Sequence, residues 1–501
     1  MKAFESNAAP LIHYWVTSKN NDEDTGEGGW MMRYMARSFL LIYLSVVLIC
    51  LVQRASSSHA DEARASEVGL RIATFDIDAS PPVGLRMAYN DVIRPADLSL
   101  RCRGIILIGA GKPIVLAAID WIGVGNGAHQ AFRQVLAKAV LTSPERVAVQ
   151  SLHQHDAPQA DFTAEALLDE MHIENYDRFD GDFARGVFED ASNAAAKAIQ
   201  HPQSLTHVGF GKAKVHEVAS NRRLIGDDGM IRGWRGSTTR KRELREEPEG
   251  LIDPFVHSMV LWSEDIPIAV ITSYATHPMS YYRTGVPGPD FPGIARLLRA
   301  QDLPSALHIH FTGAGGNVAA GKYNDGSHAN RVTFALRLAA GMRSAYEAAV
   351  TDRRPIAEGE IGWSVESVTL GYRKELQRQQ LAASIRSNAD QGTMNDADAL
   401  AWITRVESGR PVDITCLRVG DIRMLHMPGE LFVEYQLAAQ SMRPDLHVMM
   451  AAYGDYGPGY IGTAASYAQG GYEVDVGSSF VGPDVEDVLK AAMRKLLKVS
   501  P

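Results

Sequence analysis

The segment Arg101–Asp120, RCRGIILIGAGKPIVLAAID, decides how the rest of the chain is read. Two apolar, β-branched runs flank Gly109-Ala110-Gly111-Lys112-Pro113, the composition of a hairpin turn, and the second run ends at Asp120. HQAFRQVLAKAVL then takes helical spacing, and ERVAVQSLHQHD returns to a strand. The same order recurs downstream. HSMVLWSEDIPIAVITSYATHP reads as two strands turned at Glu264-Asp265, PDFPGIARLLRAQ as a proline-opened helix, and ALHIHFTGAGGN as a strand entering a glycine loop. NRVTFALRLAAGMRSAYEAAV reads as a long helix, and ITCLRVGDIRMLHMPGELFVEYQLAAQSM as another hairpin feeding a helix. Upstream, VGLRIATFDIDASPPVG reads as an edge strand stopped by a double proline. No sequence repeat and no linker interrupts the pattern. The expectation is one large mixed α/β domain over residues 66–501, with its site at strand ends.

With 501 residues and 46% hydrophobic composition, the chain can bury a large core. A formal net charge of -9 argues against a nucleic-acid surface, and the short run Arg240-Lys241-Arg242 is neutralised at once by Glu243, Glu246 and Glu247. Residues 1–32 read as a polar, acidic extension, with Met31, Met32 and Met35 as alternative starts. Residues 33–60 have the layout of a secretory signal: Arg33 and Arg37, an apolar run from Phe39 to Val52, then small residues. Two outcomes stay open, export to the periplasm or medium, and retention through an anchor at residues 38–52. Removal of the segment takes Cys50 with it and leaves Cys102 and Cys416, which could form one disulfide or none.

Several positions carry candidate chemistry. SLHQHDAP places His153 and His155 two apart where a strand ends, so both point to one side if the strand continues. They fit metal ligands, a ligand with a substrate-facing partner, or histidines that are simply hydrogen-bonded. His277 closes the apolar run IAVITSYAT, and its ring nitrogens need partners there. Glu430 in LHMPGELF is expected to start a helix after Pro428-Gly429, either as a first-turn glutamate or as a hard oxygen ligand. Gly316 to Lys322 imitates a phosphate-binding loop, but Tyr323 stands where a magnesium-binding Ser or Thr is needed. The five tyrosines of AAYGDYGPGYIGTAASYAQGGYE suit either packing or a polar cleft.

Taken in order from Val68 to Glu473, these segments resemble the catalytic domain of the neutral/alkaline non-lysosomal ceramidase family. FDIDASPPVG is similar to that family's DITPP segment, SLHQHDAP to THTHSGP, and GAGGNVAAG to GNAGDVSPN. SYATHP is similar to its strand-end histidine segment, MPGELF to PGEPF, and GYIGTAASYAQGGYE to GYVTTYEEYQVQRYEG. The resemblance implies a mixed α/β fold and a Zn2+-dependent hydrolase of an amide, an N-acyl amide of the sphingolipid kind included, or of an ester. It makes His153, His277, Glu430 and Tyr460 the zinc ligands and His155 and Tyr472 the groups facing the scissile bond. Asp156, where the family has serine, is expected among the catalytic residues, to orient a histidine or to change substrate preference. Gly316, Asn317 and Ala319 fall on the family's substrate loop, and Ala319 replaces its serine. With the sequence ending at Pro501, the family's C-terminal β-domain is expected to be missing. The implied partners are a small-molecule or lipid substrate and a membrane surface, with no protein partner. The alternative is a non-catalytic, ceramidase-like protein that binds lipid or carbohydrate.

Overall fold

The apolar runs of the Arg101–Ile108 and Ile114–Ile119 strands are nearly continuous because these strands are covered on both faces. Ile105 and Leu116 point to one core, and Ile106 and Val115 to another on the opposite side. The computed structural model describes residues 69–173, 180–387 and 393–499. Extension and signal segment, residues 1–32 and 33–60, lie outside the described residues, as does the Cys50 within them. From Gly69 onward the chain forms one compact unit. Cys102 and Cys416 are buried free thiols. No described helix is long and apolar enough to cross a membrane.

The architecture is mixed α/β, as the sequence predicts, and it is built on one unit used three times. In each, three antiparallel strands are followed by a helix and a fourth strand that returns parallel to the third. The first unit runs Arg71–Asp78, Arg101–Ile108 and Ile114–Ile119, crosses through the helix Asn126–Ala139, and ends on Val147–Ser151. The second uses His207–Lys214, Phe255–Ser263 and Ile266–Tyr274, then the helix Asp290–Asp302 and Leu307–Thr312. The third uses Ile361–Val368, Val412–Val419 and Ile422–His426, then the helix Val433–Met442 and His447–Ala451. In the first two sheets a two-residue strand extends the outer edge, Gln203–Ser204 beside Arg71 and Arg354–Pro355 beside His207. The repeat is invisible in the residues because the copies share pairing order while their connections differ widely in length.

The inner faces of all three sheets meet in a common core. Ile105 and Leu116 pack there with Met259 and Ile271 and with Leu417 and Met424. Each such side chain contributes roughly 1.5–3 kcal/mol by leaving water. The outer faces carry the helices: Phe132 and Phe188 over the first sheet, Phe334 over the second, Tyr435 and Leu489 over the third. At the centre the three returning strands end beside one another. Thr312 donates its hydroxyl to Leu152 O at 2.8 Å. Ala452 N donates to Thr312 O, and Ser151 N to Tyr453 O, both at 2.9 Å. This closed ring brings the loops after all three units to one place.

Candidate metal centre

His153 follows the first returning strand, His277 the third strand of the second unit, and Glu430 the third strand of the third unit. The strand before His153 stops at Ser151, and His153 has a left-handed φ of +68°. His153 and His155 are therefore not side by side on an extended strand. The turn instead lets His155 Nδ1 donate to His153 O at 3.0 Å. A non-glycine residue in this region carries strain of about 1–3 kcal/mol. Here the ring stacks on Tyr453 at 4.7 Å, and His153 N donates to Trp121 O.

All three imidazoles are anchored the same way. His153 Nδ1 lies 2.8 Å from Ile122 O and His277 Nδ1 2.8 Å from Gly315 O. A carbonyl oxygen can only accept, so each Nδ1 carries a proton and each Nε2 is the nitrogen left for the cluster. One ring nitrogen of each of His153, His155 and His277 lies within 4.8 Å of the others, and all three residues are buried. This group can hold a metal ion.

Glu430 completes the cluster from a short strand, not from a helix as expected. Glu430–Leu431 pairs in parallel with Tyr460–Ile461, and the helix starts only at Val433. Gly429 takes a φ of +60° to turn the chain into that strand. Glu430 Oε2 stands 3.2 Å from His153 Nε2 and 3.1 Å from His277 Nε2. Its other oxygen accepts from Tyr456 Oη at 2.6 Å. Oε2 has no hydrogen-bond donor among the described residues. A carboxylate oxygen this close to two imidazole nitrogens calls for positive charge among them, a ring proton or a bound cation. Three nitrogens, a carboxylate and a phenol form a donor set suited to a borderline divalent cation.

The electrostatics follow from burial. Burial opposes ionisation of Glu430, but the His153 and His277 rings more than reverse this and hold its carboxyl well below the usual range. His277 is pushed down to about 4, mainly by burial, and His155 is held well below its ordinary value by burial and by the two neighbouring rings. Tyr460 Oη lies 3.2 Å from His277 Nε2 and accepts from Arg222 Nη1 at 3.1 Å. Burial, then the Glu430 charge, raise the Tyr460 phenol well above 10.

The other expected site residues divide. Tyr472 lines the same cavity of 480 Å3 as the cluster, its ring 5.8 Å from Tyr460. Asp156 sits behind the wall. Its carboxylate accepts from Arg283 N, Thr284 N and Thr284 Oγ1 at 2.8, 3.2 and 2.9 Å, which commits it to the loop carrying Tyr282. The Gly316, Asn317 and Ala319 segment does not line the cavity either. A Cβ on Gly316 would fall 2.3 Å from Glu430 O, so this glycine permits close packing against the Glu430–Leu431 strand. Asn317 braces Val433 N and Glu434, and Ala319 pairs with Ser220.

Sequence reading missed Arg222 and singled out Tyr456 only as one of five loop tyrosines. Arg222 is buried, 3.4 Å from Glu473 and 4.6 Å over the Trp234 ring. Nothing in SNRRLIG separates it from its neighbour Arg223.

No family model and no curated protein matches this chain. Solved structures do. One, described as "Ceramidase complexed with C2", superposes with a TM-score of 0.60 at 16% identity over 86% of this chain and 75% of its own. Neutral ceramidase from Pseudomonas aeruginosa gives 0.59 at 16% identity, over 86% of this chain and 74% of its own. The chain has a ceramidase-like fold.

Proposed function

We propose that this chain is a member of the neutral ceramidase family and a zinc-dependent hydrolase of N-acyl amides. One observation carries the reading: Glu430 Oε2 lies 3.2 and 3.1 Å from Nε2 of His153 and of His277 in the wall of an open cavity. The likeness in fold to two ceramidases supports the amide class. In this reading His153, His277, Glu430 and Tyr460 hold the ion. When bound, zinc supplies Lewis acidity that polarises a carbonyl and acidifies water.

The chain's own residues supply the rest. His155 is neutral near pH 7, and its Nδ1 proton is committed to His153 O, so Nε2 is the atom that accepts a proton. Tyr472, half exposed at the cavity, donates its hydroxyl to the amide oxygen as charge develops there. Arg222 keeps a fixed positive charge against the Tyr460 oxygen. Ala319 has no hydroxyl, so a nucleophile at that position plays no part. The basic, apolar and small-residue order of residues 33–60 supports export.

The test is turnover of an N-acyl amide panel by zinc-loaded protein and by Glu430→Gln. Hydrolysis that requires both zinc and Glu430 is the expected result. Hydrolysis unchanged in Glu430→Gln would overturn the reading.

A further inference from the structure

Tyr472 and Glu473 are neighbours that face opposite ways. They share one turn of 3-10 helix, Tyr472–Val474, whose three residues per turn set successive side chains about 120° apart. Tyr472 is half exposed at the cavity, and Glu473 is fully buried. Gly471 enters this turn with a φ of +107°. A Cβ there would fall 2.4 Å from Ile231 Cδ1 and 3.0 Å from Arg223 Nη1, so the turn is pressed onto the hairpin formed by Arg223–Ile225 and Ile231–Trp234.

Three side chains from that hairpin and the residue before it converge on the Glu473 carboxylate. Trp234 Nε1 donates to Oε1 at 2.7 Å, Arg223 Nη1 donates to Oε2 at 3.3 Å, and Arg222 Nε lies 3.4 Å from Oε1. Arg223 also grips the chain ahead of the turn, where Nη2 donates to Gly470 O at 2.9 Å and to Ser466 O at 3.1 Å. A carboxylate taken fully out of water is held only where charges and hydrogen bonds replace its hydration. Here they also fix geometry. Trp234 and Tyr472 meet edge to face at 5.8 Å in the cavity wall. The Arg222 guanidinium lies 4.6 Å over the first ring and 5.8 Å over the second, with Nη1 on Tyr460 Oη. One buried acid thus reaches both groups that face the site from this side, Tyr472 through the chain and Arg222 through charge.

We propose that Glu473 is a positioning residue, a latch that locks the hairpin to the Tyr472 turn and sets the phenol and the Arg222 charge against the cavity. It touches no substrate itself. Its effect on rate rests on the hydrolase reading above, whereas its effect on the placement of Tyr472 does not.

Placement is measured without turnover. Full-length chain with 13C-labelled tyrosine rings is compared with Glu473→Gln by NMR, the Tyr472 signal being the one lost in Tyr472→Phe. Glutamine offers one acceptor oxygen to three donors, so the Tyr472 signal of the folded variant is expected to shift or broaden. An unchanged signal would overturn the latch, whether or not the chain hydrolyses amides. The rate is read in a double-mutant cycle on the N-acyl amide panel. Glu473→Gln is expected to lower kcat about 100-fold with KM and zinc content nearly unchanged, and to add little in a Tyr472→Phe background. Losses that multiply in the double variant would overturn the positioning role. If Glu473→Gln does not fold, Arg223→Gln replaces it in both measurements, since it loosens the same latch and leaves Glu473 its partner Arg222.

Discussion

His277 Nε2 lies 3.1 Å from Glu430 Oε2, while the other nitrogen of the same ring is committed to Gly315 O at 2.8 Å. Backbone carbonyls thus orient the rings and turn each Nε2 toward the carboxylate. The chemistry of the site grows from that convergence.

Tyr456 should tune the ion through Glu430, since its hydroxyl donates to Oε1 at 2.6 Å. In Tyr456→Phe, zinc affinity is expected to fall about 10- to 100-fold in a chelator competition. Unchanged affinity would show that the Tyr456 hydrogen bond does not act on the ion through Glu430.

Asp156 is expected to position a loop and not to carry protons. Asp156→Ala should raise KM about tenfold through Tyr282, with kcat and metal content nearly intact, and Asp156→Asn should be close to normal. A loss of about 10²–10⁴ in kcat for Asp156→Asn would instead make it an acid or base.

Both results bear on what could be read from residues alone. The strands and helices around Arg101–Asp120, Glu264-Asp265 and Gly429 were legible because each follows local periodicity and turn chemistry. His153, His277, Glu430, Tyr460 and Tyr472 were legible only as members of ordered motifs, and the structure brings all five to one cavity. The threefold repeat was not legible, because it lies in long-range pairing. Nor was the turn at His153, whose left-handed backbone is imposed by Trp121, Tyr453 and its own ring contacts. Asp156 drew notice as a carboxylate beside a histidine, and only the structure shows its bonds to Arg283 and Thr284. Arg222 gave no signal, since a buried arginine is marked only by what surrounds it.

Stability should carry a pH signature from Asp161. Burial, and then the Asp398 charge, push its carboxyl from an ordinary 3.8 up to about 7. The folded state therefore holds this proton more tightly than the unfolded chain. The resulting stabilisation is complete below 3.8 and is lost as pH rises through about 7. Asp161→Asn, measured by urea unfolding from pH 4 to 8, should remove a slope of up to ~1.4 kcal/mol per pH unit. An identical slope in the variant would refute the assignment.

Asp120 and Arg296 join the first and second units. Arg296 donates from Nη1 and Nη2 to the two carboxylate oxygens at 2.9 and 2.5 Å, and both side chains are buried. Asp120→Ala leaves a buried guanidinium without its partner and should cost about 3–5 kcal/mol in denaturant unfolding. A change below about 1 kcal/mol would mean that water reaches the pair.

The most direct test of the central claim is the metal content of the purified full-length chain, measured by mass spectrometry beside a folded His153→Ala/His277→Ala variant. About one zinc per chain is expected, lost in the variant. Folded wild-type protein that holds no divalent ion after exposure to zinc would contradict it.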